Sequence, residues 1–157
     1  PSLVPLPASL KVDGGAPFTL KDSTVIVAKG QASDSAKFLA AILRRSTGFP
    51  LPIVPSSSGH DSFISLTVDP HTRIGTYARQ EEAYSLVSRT GSIAARAVTD
   101  HGLFDAVQTI RQLFSPLIES TGHDAVMDGP AVTVTDAPRF SYRSVQLLSL
   151  YTSDAAD

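Results

Sequence analysis

The chain has no cysteine, so neither a disulfide framework nor a thiolate zinc site can form. It has no asparagine either, which removes every N-glycosylation acceptor. Charge is scarce: 18% of residues are charged, below the ~25% typical of soluble domains. Neither sign dominates, with 13 basic against 15 acidic groups and a net charge of −2. No basic cluster is present, which argues against a nucleic-acid binder that works by neutralising phosphates and releasing counterions. Long apolar runs are missing too. The longest, Phe38–Leu43, is far too short to cross a bilayer. Pro1 stands where a methionine would, with no charged-then-apolar leader behind it, so a processed or excised piece is expected.

What is present suits one domain, or one domain with a short appendage. The 157 residues are 42% hydrophobic, enough for a single core, whereas a complete (β/α)8 barrel needs about 250 residues. Pro5 and Pro7 stiffen an extended opening segment, and Gly14-Gly15 supplies a turn. Thr24–Ala28 is β-branched and predicts a buried strand. A helix follows, with Ser33, Asp34 or Ser35 as its cap and Phe38, Leu39, Ile42 and Leu43 as its apolar stripe. Gly48 and the prolines after it stop that helix.

Ile64, Leu66 and Val68 alternate with polar residues, which is strand periodicity. Glu82–Ser88, the turn Arg89-Thr90-Gly91 and Ser92–Val98 predict a hairpin. Small residues crowd its second strand (Ala94, Ala95, Ala97), so something is expected to pack closely over it. The following helix, capped by Asp100, carries Leu103, Phe104, Val107, Ile110 and Leu113. Gly102 lets it cross tightly over the sheet, and Gln108, Thr109 and Gln112 can satisfy polar groups on its less buried side. A polar loop, Gly122–Gly129, precedes a last strand over Ala131–Thr135. This order predicts an α+β fold, a mainly antiparallel sheet with two helices packed on one face.

Candidate chemistry is thin. His60, His71, His101 and His123 show no i+2, i+3 or i+4 pairing, so no metal clip is expected and each reads as a solvated loop histidine. His60-Asp61 and His123-Asp124 are adjacent residues that point apart on an extended chain, and no Gly-x-Ser-x-Gly elbow supplies a nucleophile. Glu81-Glu82 reads as a solvated strand start. Gly14-Gly15 lacks the helix that a phosphate-cradling loop requires. The residues themselves yield no catalytic, metal or cofactor site.

Three stretches carry a resemblance. Leu3-Val4-Pro5-Leu6-Pro7 with Gly15 and Phe18-Thr19-Leu20 comes first. Glu82–Val87, Gly91-Ser92-Ile93 and Gly102–Leu113 form the second, and Asp136-Ala137-Pro138-Arg139-Phe140-Ser141-Tyr142-Arg143 the third. In this order they resemble the N-terminal domain of family 20 glycoside hydrolases and its junction with the catalytic barrel of β-N-acetylhexosaminidases. The resemblance implies a non-catalytic support domain over 1–137 and an incomplete first barrel strand over 138–147. The parent would remove terminal, non-reducing N-acetylhexosamine from β-linked glycans by the substrate-assisted exception to two-carboxylate hydrolysis. Its partners would be that barrel and, through it, the glycan; its location would be periplasmic or secreted.

The Asp-Glu pair of that chemistry occurs nowhere in this chain, so the piece alone is expected to be inactive. Arg143 matches the arginine that grips hydroxyls of the terminal sugar, a task suited to the guanidinium fork. The pattern then departs, with Ser144 in place of Gly and Leu148 in place of Asp. Residues 148–157 resemble the translation of a sequencing-library adapter and are expected not to be native. The competing readings are a self-standing module that docks on a glycosidase or glycan, and the accessory domain of another exo-glycosidase.

Overall fold

The computed structural model describes residues 3–114, 118 and 127–140. The strands are β1 (Ser9–Val12), β2 (Phe18–Leu20), β3 (Val25–Ala28), β4 (Ile53–Val54), β5 (Phe63–Val68), β6 (Tyr84–Arg89), β7 (Ser92–Ala97), β8 (Met127–Gly129) and β9 (Val132–Asp136). Two helices, α1 (Ser33–Thr47) and α2 (Asp100–Leu113), interrupt them. Seven strands form one sheet in the order β1-β9-β6-β7-β5-β3-β4, and β2 pairs separately with β8. The four pairings β1–β9, β9–β6, β6–β7 and β2–β8 are antiparallel. The three around β5 and β3 are parallel; α1 carries the chain back across the sheet between β3 and its parallel neighbour β4. The α+β class is therefore as the patterning predicts, with a mixed rather than uniform sheet.

Both helices lie on one face. Leu39 and Leu43 of α1 and Leu103, Val107 and Ile110 of α2 share one core with Ile26, Ile64, Leu86, Ile93 and Val134 of the sheet. The opposite face carries Lys11, Thr133, Val87, Ala94 and Ser65 in one register row across five strands. Gly102 makes the helix–sheet contact possible: a Cβ there would lie 2.8 Å from the Ala83 carbonyl oxygen and 3.3 Å from the Ala97 Cβ. Ala97 of β7 and the Ala83 backbone are thus the floor that α2 presses on.

Several local expectations are corrected. None of Ser33, Asp34 and Ser35 caps α1; its N-cap is Ala32, at the end of a 3₁₀ turn, Gly30–Ala32. That turn leads straight into the helix, and the Ser35 hydroxyl instead donates to Asp100 Oδ1 at 3.1 Å, tying the two helix starts together. Thr99, not Asp100, caps α2, its hydroxyl accepting from the Gly102 N–H at 3.3 Å. Met127–Gly129, expected within a polar loop, is strand β8: Met127 is buried, and Asp128 accepts a 2.7 Å hydrogen bond from the Thr19 hydroxyl across the ladder. Glu82 is not a solvated strand start either. It sits in a turn ahead of β6, buried, with Arg79 at 3.0 Å and His101 Nδ1 at 3.8 Å.

Phe38 and Phe104, expected in the apolar stripes, lie at the outer rim of the helix pair, 37% and 39% exposed. Their rings touch each other at a centroid distance of 5.2 Å, and the Arg111 guanidinium stands 5.8 Å over Phe38.

Candidate functional site

A group of polar side chains converges where the chain leaves the sheet. Strand β9 ends at Asp136, and Ala137–Phe140 follow. Leu3–Ala8 run alongside as a strap, anchored by buried Leu3. Val4 N–H donates to Gln112 Oε1 at 2.8 Å, and Gln112 Nε2 donates to the Val4 carbonyl at 3.0 Å. Ala8 N–H donates to Asp136 Oδ1 at 2.9 Å. The other carboxylate oxygen, Oδ2, faces the Tyr84 hydroxyl at 3.4 Å, and that hydroxyl shares a 2.6 Å hydrogen bond with Thr109 of α2.

Burial pushes the Tyr84 phenol far above its ordinary range, and the charges of Asp136 and Asp105 push the same way against the Thr109 hydrogen bond. Tyr84 therefore stays protonated and available as a donor under Asp136. A cleft of about 330 Å³ lies between strap and α2, with Tyr84, Asp105, Gln108 and Pro138 in its wall. Next to it, Pro5, Leu6, Pro138 and Phe140 line an apolar cleft of about 540 Å³.

On the other side of the exit lies the loop between β5 and β6. One side chain organises it: Gln80 accepts from Ile74 N–H at 2.9 Å and donates to the Ile74 and Tyr77 carbonyls at 3.0 and 2.7 Å. The Tyr77 hydroxyl then donates to the Thr135 carbonyl at 3.1 Å. Ala137 is buried with Ile74 and Ala83 in a small satellite core. Burial and the Asp136 charge raise the Tyr77 phenol above its ordinary value.

The sites considered from the sequence stay apart. His60 N–H bonds the Ser57 carbonyl and His71 N–H the Asp69 carboxylate, both within turns. The exception is His101, whose Nδ1 lies 3.8 Å from Glu82 Oε1. Gly14 has φ +58°, a turn conformation, and β2 rather than a helix follows it. Among the described residues no group of three His, Cys, Asp or Glu could hold a metal ion. Arg143 and the pair His123-Asp124 lie outside the described residues. The groups that converge, Tyr77, Gln80, Tyr84 and Asp136, carry no spacing signal; the third resemblance stretch does begin at Asp136.

Fold and junction define an α+β module whose converging polar groups hold Val4 and Ala8 of the strap and Thr135 and Asp136 at the end of β9. The profile described as glycosyl hydrolase family 20, domain 2, matches residues 1–137. The chain belongs to that family. A β-N-acetylhexosaminidase from Cellulomonas fimi is 29% identical over 153 residues, covering 93% of this chain and 28% of the relative. A β-hexosaminidase from Porphyromonas gingivalis is 30% identical over 148 residues, covering 93% and 18%. The structure of the GH20 β-N-acetylhexosaminidase from Streptomyces coelicolor A3(2) superposes with a TM-score of 0.75 at 31% identity, over 87% of this chain and 26% of that one. The chain thus spans little more than a quarter of these relatives at most.

Proposed function

We propose that this domain is the non-catalytic support of a β-N-acetylhexosaminidase and that its helix face docks on the catalytic barrel of the parent chain. The observation that carries the docking surface is the Phe38–Phe104 ring pair, over a third exposed on the outer side of α1 and α2. Rings of this size normally leave water, since each buries well over 100 Å² on contact. The occupant follows from the connection. Pro138 of the exit segment shares the 330 Å³ cleft with Gln108 of α2, the helix that carries Phe104. The relatives are roughly three to five times longer than this chain, which leaves room for a barrel in the parent.

On this reading residues 138–147 open the barrel, and Arg143 is the sugar-gripping arginine of the parent enzyme. The substrate class is a terminal, β-linked N-acetylhexosamine; the name β-N-acetylhexosaminidase of the Cellulomonas fimi relative supports this reading. The test is the full-length parent carrying Phe38→Asp with Phe104→Asp. The reading predicts a lowered thermal midpoint and faster loss of 4-nitrophenyl N-acetyl-β-glucosaminide hydrolysis on heating. A parent indistinguishable from wild type in both would reject it.

A further inference from the structure

We propose that the strap Leu3–Ala8 and the Gln80-organised loop form a two-sided clasp that fixes the direction in which the chain leaves the domain. The exit is gripped at successive residues from opposite sides. The loop holds Thr135 through the Tyr77 hydroxyl and seats Ala137 between Ile74 and Ala83. The strap holds Asp136 through the Ala8 N–H, and Pro5 and Leu6 face Pro138 across the 540 Å³ cleft.

Each half of the clasp is itself tied to the body of the domain. Gln112 bonds the strap to α2 through both groups of Val4. Gln80 closes the loop through three hydrogen bonds, and Ile74 seats the closed loop against Ala83 ahead of β6. Tyr84 reaches Asp136 from beneath, braced by Thr109. A segment held by groups on separate elements can open only if several contacts break together, which makes its opening rare. The domain is accordingly a rigid mount and not a tethered neighbour. What it mounts rests on the reading in the preceding subsection; the clasp itself is a property of this chain.

Trypsin cleavage after exposed Arg139 reads the clasp directly in the 157-residue chain, followed by mass spectrometry under native conditions. When opening is fast relative to cutting, the rate tracks the open population. The intact chain is expected to be cut far more slowly than a synthetic peptide of residues 133–145. Asp136→Ala is expected to accelerate the cut about tenfold, and Tyr77→Phe about fivefold, as loss of a charged and a neutral hydrogen bond would imply. Asp136→Asn, which keeps the acceptor for Ala8 N–H, is expected to stay near wild type. Tyr77→Phe removes a single oxygen and keeps the test available if Asp136→Ala does not fold.

Urea midpoints separate local from global opening. Cutting of the intact chain at the peptide's rate, or variant rates that merely track the urea midpoint, would overturn the clasp. So would equal rates in wild type and Tyr77→Phe. Failure of the docking test with slow, variant-sensitive cutting would reject the barrel partner and leave the clasp standing.

Discussion

The side-chain amide of Gln112 pairs with both backbone groups of Val4, accepting its N–H at 2.8 Å and donating to its carbonyl at 3.0 Å. The two residues are 108 positions apart, so this amide stitches the beginning of the domain to its last helix. Gln112→Ala removes two exposed hydrogen bonds and is expected to cost about 1–2 kcal/mol. Hydrogen exchange should show the Val4 amide losing protection while amides of β5 to β7 keep theirs.

The periodic parts of the chain were legible, and the reasons are local. Ile64, Leu66 and Val68 alternate over a full strand, and Leu103, Val107 and Ile110 repeat at helical spacing, so each element announces itself. Strands β1, β4 and β8 are four residues or fewer, and β1 and β8 exist only because a partner more than 100 residues away completes the ladder. The caps were misplaced because Ser33–Ser35 and Asp100 look like caps in isolation, while a preceding turn and Thr99 win in context. The junction was legible only in part: Asp136 lies in the family-like stretch, but nothing in the spacing of Tyr77, Gln80 and Tyr84 shows that they meet there.

Gly102 lies under a backbone carbonyl that a Cβ would approach to 2.8 Å. Gly102→Ala improves intrinsic helix propensity by about 1 kcal/mol, but forcing α2 off the sheet costs about 1–3 kcal/mol. The expected outcome is net destabilisation in urea unfolding. A stabilised variant would show that the helix does not rest on Ala83 and Ala97.

Tyr84 predicts an alkaline limit. Burial holds its phenol well above the ordinary tyrosine value of 10.0, so the unfolded chain releases this proton first as pH rises. Stability from the protonated hydroxyl is complete below pH 10 and falls above it, because the unfolded state then binds fewer protons. Urea midpoints measured from pH 8 to 11 should decline at the top of that range. In Tyr84→Phe the decline should be shallower, beginning from a protein already weakened by about 1–2 kcal/mol through the unpaired Thr109 hydroxyl.

The central claim is that this domain supports chemistry performed elsewhere in its parent. The most direct measurement is hydrolysis of 4-nitrophenyl N-acetyl-β-glucosaminide by the purified 157-residue chain. With no Asp-Glu pair in the sequence, release of 4-nitrophenol should equal the enzyme-free blank at any protein concentration. Release that rises above the blank in proportion to the amount of pure chain would contradict the account.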